Sequence, residues 1–279
     1  MMELLDTRIC LKTVLALSIS VIACAMILGC ISDEMPGKEY ASEEFNETYQ
    51  VGAGTVLSVE GITGGISVTS WDRDSVEVYA LKKTEYGEDE LDKAEIEAKT
   101  GKTLSIKTIH RENSVRVSIN YEIKIPSGMR VEQLQTVTGS LSLEGSEGNA
   151  SLVTITGSIT VRSVDGCIQA NTVTGDIDVK NITGILGAEV VTGDIEIEIP
   201  AITDNIKISC TTGSIEAYVS PSLNTNLYAD VVTGKVEIHG LQITVKESSK
   251  TRVEGTLGNG GHEITLKTST GNIDLYSLE

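Results

Sequence analysis

The chain is short of the residues that build most catalytic and metal centres. Its 279 residues include 3 His and 5 Cys, which leaves little material for a His- or Cys-based metal site. Aromatic residues are scarce, with 8 Tyr, 1 Trp and 1 Phe, so a folded core must be mostly aliphatic. Proline is rare (4) while glycine is abundant (27), so the chain turns by glycine rather than proline. Basic residues are outnumbered, 22 Lys+Arg against 40 Asp+Glu, for a net charge of −18. That balance argues against nucleic acid as a partner, because phosphate is held by clustered Lys and Arg. No Gly-x-Ser-x-Gly, His-Glu-x-x-His or phosphate-loop pattern occurs, and His110, His239 and His262 are far apart in sequence.

What is present begins with an uncharged, mostly apolar run from Thr13 to Ile31, preceded by Arg8 and Lys12. Residues 1–30 therefore read as an export signal or an uncleaved membrane anchor. The run closes on Ile27-Leu28-Gly29-Cys30. A small residue followed by Cys at this point resembles the lipobox of prokaryotic lipoproteins, which would make Cys30 the lipidation site. An unmodified anchor helix is the alternative. Either way the remainder is expected on the extracytoplasmic side of the cell membrane. Residues 31–50, with Asp33, Glu34, Glu39, Glu43, Glu44 and Glu47 against Lys38, read as an acidic disordered stalk. Asn46, Asn149 and Asn181 lie in Asn-x-Ser/Thr triplets that permit glycosylation.

A self-comparison exposes a repeat. Thr-Gly, then a polar residue, then Ile, Leu or Val recurs at Gly139, Gly157, Gly175, Gly193, Gly213, Gly234 and Gly271, at intervals of 18, 18, 18, 20, 21 and 37 residues. The last interval is about two periods, and Thr63-Gly64-Gly65-Ile66 is a stray earlier copy. Apolar residues alternate on both sides of each glycine, as in Ile177/Val179 and Leu186/Ala188/Val190, the signature of strands. Second turn glycines (Gly145, Gly166, Gly184) separate the halves. The expected fold is all-β, a β-solenoid of 18–21-residue coils over 130–279, with each Thr-Gly stacked on its predecessor ~4.8 Å away. A meander of hairpins is the rival. Residues 51–129 read as a strand-rich N-terminal cap, with one helix over Glu88–Lys99 placing Leu91, Ala94 and Ala98 on one side.

Several stretches resemble a prokaryotic family of unknown function with β-strand repeats, provisionally described as adhesins. They are Ile123-Lys124-Ile125-Pro126-Ser127-Gly128, Thr136 to Leu141, Val-Thr-Gly-Asp-Ile at 173–177 and 191–195, and Gly258-Asn259-Gly260-Gly261 followed by 268–274. The resemblance spans roughly 51–279. It implies a β-helical protein, exported or membrane-tethered, and offers no catalytic residues to carry over.

Stacking would turn sequence columns into surface stripes. The third position after each glycine holds Asp178, Glu196, Glu216, Glu237 and Asp274, and the first adds Asp176 and Asp194. Directly opposed like charges are unfavourable. The stripe is therefore either a solvated acidic face or a collector of divalent cations, with Ca²⁺ a suitable hard ion. No other cofactor is suggested, and no metal site is assigned. At the fifth position Glu144/Arg162 and Lys180/Glu198 are expected to pair. Tyr218, His239 and Tyr276 form either a shallow ligand shelf for a sugar or a plain cross-strand ladder. Ahead of each Thr-Gly stand Val137, Ile155, Val173, Val191 and Val232. These are either buried by a bulge at the corner or left open as an interaction stripe. Cys210 falls in a core column, and Cys167 lies in another register, about two coils away, which makes a disulfide between them improbable.

Three functions fit. The first is a non-enzymatic surface binding or adhesion module for a glycan or protein. The second is an envelope component acting by self-association. The third is a β-helical polysaccharide lyase or hydrolase using Asp176, Asp178, Asp194, Arg162 and Lys180, for which 18-residue coils leave no long loops to wall a cleft.

Overall fold

The computed structural model describes residues 40–279. The signal or anchor, Cys30 and residues 31–39 of the expected stalk lie outside the described residues. Alternating apolar residues set the strands. From the N-terminal side these are β1 (Ala41–Gln50), β2 (Val56–Glu60), β3 (Ile66–Trp71) and β4 (Ser75–Thr84), then one helical turn, α1 (Glu88–Leu91). There follow β5 (Ala94–Lys99), β6 (Thr103–His110), β7 (Ser118–Pro126), β8 (Arg130–Gln135), β9 (Leu141–Glu144), β10 (Ala150–Thr156), β11 (Ile159–Thr174) and β12 (Ile177–Thr192). The chain ends with β13 (Ile195–Ile199), β14 (Ile206–Thr212), β15 (Ile215–Val219), β16 (Thr225–Thr233), β17 (Val236–His239), β18 (Ile243–Ser248), β19 (Arg252–Leu257), β20 (Glu263–Thr270) and β21 (Ile273–Ser277).

Two parallel ladders meet at the Thr-Gly corner. The ladder before the corner runs β6-β2-β8-β10-β11-β12-β14-β20-β16. The ladder after it runs β7-β3-β9-β11-β12-β13-β15-β21-β17. Equivalent residues face each other: Ile159 pairs with Ile177, Ile177 with Ile195, Ile195 with Ile215, and Ile215 with Ile273. These isoleucines are at most 1% exposed. Opposite them Leu134, Leu152, Ala170, Ala188, Ile208 and Leu266 are equally buried. The interior is a thin aliphatic slab, each fully buried Ile or Leu stabilising it by about 1.5–3 kcal/mol. Antiparallel strands flank the ladder ends: β4 and β1 beyond β7, β5 beyond β6, and β19 and β18 beyond β16.

The order of coils departs from the order in the chain at both ends. β2 and β3 sit between β6/β7 and β8/β9, so Thr63-Gly64 is a true corner, bridged to Thr138. The ladders therefore cross residue 130 without a break: within 51–129, β2/β3 and β6/β7 are coils, while β4 and β5 flank the end. At the other end β20/β21 lie between β14/β15 and β16/β17. The 37-residue interval is not two further coils. It holds the β18–β19 hairpin, which returns antiparallel onto β16 before the last coil is laid down.

Three local expectations are corrected. Residues 41–50 are a strand, paired with β4 from Ala41↔Thr84 to Gln50↔Ser75. Phe45 and Tyr49 on one side pack against the core, while Glu44, Asn46 and Thr48 on the other face water. The helix stops at Leu91, and Ala94–Lys99 pairs with β6 instead. The free edge of β6 offers that segment a row of backbone partners, which outweighs its helical spacing. The second corner does not break the central coils: β11 and β12 are 16 residues each and bend at Ser163 and Asn181, whose φ values are 56° and 53°.

The Thr-Gly corner is built from three stacked columns. The glycines adopt φ from 121° to 153°, as at Gly175 (137°), a conformation L side chains avoid. Space excludes a side chain as well: a Cβ on Gly157 would overlap the carbonyl of Gly139, and one on Gly175 that of Gly157. The second column is the buried residue three positions before the glycine. Thr154 and Thr172 donate through Oγ1 to the carbonyls of Gly139 and Gly157 at 3.0 Å, and Thr268 donates to that of Gly213 at 2.9 Å. Cys210 takes the same place, its Sγ 3.2 Å from the Gly193 carbonyl. The third column follows the glycine. The Asp176 carboxylate accepts the Asp194 N–H at 2.9 Å, and the Asp194 carboxylate accepts that of Ser214 at 2.7 Å. Ser158 and Ser214 accept in the same way from Asp176 and Asn272. A short side-chain acceptor is what this position requires.

Candidate functional site

On the outer face of the second ladder the carboxylates form one uninterrupted row. Asp178 pairs with Glu196, Glu196 with Glu216, Glu216 with Asp274, and Asp274 with Glu237. Asp176 and Asp194 do not belong to this row; the Oδ1 of each accepts a backbone N–H at the corner. The row is partly neutralised from the side. Arg162 bonds Asp178, and Lys180 lies 2.6 Å from Glu196 and 3.6 Å from Asp178. The expected pairs within the fifth column are thus replaced by diagonal ones. The hydrogen bond that Lys180 donates to Glu196, followed by the charges of Asp178 and Glu196, raises the Lys180 ammonium above its ordinary pKa. Glu198 instead accepts the Asn181 N–H at 2.6 Å.

Beside the row stand the three rings, in the order Tyr218, Tyr276, His239. The Tyr218 and Tyr276 centroids are 5.1 Å apart at 20°, and those of His239 and Tyr276 are 4.7 Å apart at 15°. Tyr276 is central because β21 lies between β15 and β17. Its two faces are covered by its neighbours, so the column stacks on itself rather than offering an open row of ring faces to a sugar. Desolvation, then nearby carboxylates, raise both phenols.

The residues ahead of Thr-Gly are exposed: Val137 41%, Ile155 50%, Val173 44%, Val191 47% and Val232 75%. No bulge buries them; the neighbouring column of Thr136, Thr154, Thr172 and Val190 takes the interior instead. Val137, Ile155, Val173 and Val191 are on successive coils, so four branched apolar side chains extend over about 14 Å. The stripe then passes through Thr211 and Ser269 before reaching Val232, which is set apart. Beside it runs a second exposed row, Thr138, Thr156, Thr174, Thr192, Thr212, Thr270 and Thr233.

The residues proposed for a lyase do not converge. Asp178, Arg162 and Lys180 are paired on a flat outer face, while Asp176 and Asp194 serve the corner. Sequence reasoning missed a cleft of about 370 Å³ at the other end, lined by Thr63, Lys83, Thr84, Tyr86, Val115 and Arg116 among others. The Arg116 guanidinium lies 4.5 Å from the Tyr86 ring centre there. Neither residue belongs to a repeat column, so no signal in the sequence marked them. Cys167 and Cys210 are free thiols, and burial pushes that of Cys210 up. Asn46, Asn149 and Asn181 are all exposed, though the Asn181 amide already donates to Ser163 Oγ at 2.9 Å.

Taken together, the two in-register ladders and the stacked corner define a parallel β-solenoid whose outer faces are regular stripes rather than a walled pocket. The chain belongs to the Toastrack DUF4097 family, whose model matches residues 59–276. Among solved structures it is similar to a protein of Clostridium sporogenes provisionally described as a cell adhesion protein. Identity is 14%, over 84% of this chain and 99% of that one, with a TM-score of 0.34. A provisionally described adhesin of Bacteroides fragilis is 12% identical over 83% of this chain and 96% of that one, TM-score 0.39. A protein of Parabacteroides distasonis, provisionally described as lipid-binding, is 13% identical over 82% and 96%, TM-score 0.28. No curated protein matches.

Proposed function

We propose that the chain is a non-enzymatic, membrane-tethered, extracytoplasmic binding module that engages a cell-surface glycan along its Val/Thr corner. The observation that carries this reading is the paired stripe: a row of exposed branched methyls beside a row of threonine hydroxyls, repeating once per coil. A polymer with regularly spaced apolar and hydroxyl groups would meet both rows in register. The rigid parallel ladders hold the spacing in advance, which lowers the ordering cost of binding. Tethering rests on the apolar run before Cys30 and on the lipobox-like residues that end it. Lipidation of Cys30 predicts that Cys30→Ser moves the protein out of the acylated pool in metabolic labelling.

The test is a glycan array probed with the native chain, with and without Ca²⁺, beside the double variant Val173→Asn/Val191→Asn. Both side chains are exposed, so the variant keeps the core intact. The expected result is binding by the native chain that falls at least about tenfold in the variant. No binding above background, or binding that the variant leaves unchanged, overturns the reading. Light scattering that shows a dimer lost in the same variant assigns the stripe to self-association instead.

A further inference from the structure

We infer that Glu237, His239 and Asp274 form a site for a borderline divalent metal ion, Zn²⁺ being the best match. The inference does not depend on the Val/Thr corner or on a glycan. One potential ligand atom from each residue lies within 4.8 Å of the others. The pairing of β17 with β21 makes this possible: Glu237 faces Asp274 directly, and His239, two residues on, projects from the same side of β17. His239 Nε2 is 3.5 Å from Asp274 Oδ1. Two ligands at Zn–N and Zn–O distances of about 2.0–2.2 Å and a tetrahedral angle are separated by about 3.4 Å, so this edge is near its bound length.

The chemistry of the set favours Zn²⁺ over the Ca²⁺ that the carboxylate row alone suggests. An imidazole nitrogen with two carboxylates suits a borderline ion, whereas Ca²⁺ takes six or more oxygens. The Tyr276 ring, 4.7 Å from the His239 ring and nearly parallel to it, restricts the imidazole. Glu237 also accepts from Lys235 Nζ at 2.6 Å, which occupies one of its two oxygens. Metal ligands must be deprotonated, and Glu237 retains a second oxygen for the ion. Three protein ligands leave a fourth position open to water or to a donor from a partner.

Binding here would act as a staple. The ligands come from β17, at the end of its ladder, and from β21, the coil inserted beneath it. A bound ion would tie the end strand to the inserted one and relieve the repulsion between Glu237 and Asp274.

The test is calorimetric titration of the full-length chain in detergent with ZnCl₂, repeated with CaCl₂ and with the variants His239→Ala, Glu237→Gln and His262→Ala. The expected result is one Zn²⁺ per chain, weakened at least about tenfold by His239→Ala and by Glu237→Gln and unchanged by His262→Ala. Zn²⁺ is also expected to slow amide exchange in 236–239 of the native chain and not of His239→Ala. Absence of Zn²⁺ binding, or binding indifferent to His239→Ala, overturns the inference. So does equal competition by Ca²⁺, which would reduce the site to a general acidic surface. The glycan array does not read this site, so the two proposals fail separately.

Discussion

Gly271 stacks on Gly213, and Gly234 stacks on Gly271, so the final Thr-Gly of the chain occupies the next-to-last place in the column. The same displacement occurs at the other end, where the corner of Gly64 lies between β7 and the corner of Gly139. Each end of the solenoid is thus laid down out of chain order, by strands that reach past a neighbour in the chain.

The glycine column predicts a sharp split among glycine substitutions. Gly175→Ala places a methyl group inside the Gly157 carbonyl and forces a side chain onto a φ of 137°. Overpacking and left-handed strain together are expected to cost about 3 kcal/mol or more. Gly52→Ala meets nothing within 4 Å and lies outside the positive-φ set, so it should change stability by less than about 0.5 kcal/mol. Urea unfolding of the two variants against the native chain checks the contrast.

The buried column before the corner predicts a graded effect. Thr172 donates to the Gly157 carbonyl at 3.0 Å, while Val190, at the same place one coil on, offers no donor to Gly175. Thr172→Val is expected to lose about 1 kcal/mol. Val190→Thr should be neutral or gain up to about 1 kcal/mol, because it supplies the missing donor without a change of shape. A loss for Thr172→Val with no loss for Val190→Thr in thermal unfolding supports the account; a loss in both contradicts it.

Tyr121 gives the fold a dependence on alkaline pH. It is buried, its hydroxyl lies 2.7 Å from Thr108 Oγ1, and burial pushes its phenol up to about 12. In the unfolded chain the phenol ionises near 10. Between these values the unfolded state releases a proton that the folded state keeps. The contribution is therefore complete below about pH 10 and is lost as pH rises toward 12, at up to about 1.4 kcal/mol per pH unit. Lysines titrate in the same window, so the measurement is the difference between the native chain and Tyr121→Phe in urea unfolding from pH 8 to 11. The gap should narrow as pH rises; a constant gap would refute the assignment.

The columns were legible in the sequence because a parallel in-register stack repeats its requirements. Gly157, Gly175 and Gly193 meet the same carbonyl in the same geometry, and Ile159, Ile177 and Ile195 fill the same slab. What the sequence hid was the order of coils. Nothing in Thr270-Gly271-Asn272-Ile273 distinguishes a coil added beyond β17 from one inserted between β15 and β17, because every corner has the same shape. That misplacement put His239 between Tyr218 and Tyr276 and obscured the pairing of Glu237 with Asp274. The strand β5 was hidden for a different reason: its partner edge, β6, lies outside its own helical-looking pattern.

The inserted coil carries the last prediction. In a solenoid stacked in chain order, removal of 263–279 would trim one end and leave every other coil in place. Here it removes the strands that join β14 to β16 and β15 to β17, and β16 then retains only β19 as a strand partner. Leu227, Ala229 and Val231, now buried, would lose the coil they pack beside, and β14 and β15 would present a new free edge. The truncated chain is expected to keep slow amide exchange in 141–199 while residues 225–239 exchange at rates near those of an unfolded segment, and to associate through the exposed edge. Protection of 225–239 equal to that of the native chain would mean that β16 and β17 can dock on β14 and β15 directly, and the displaced order would then be dispensable to the fold.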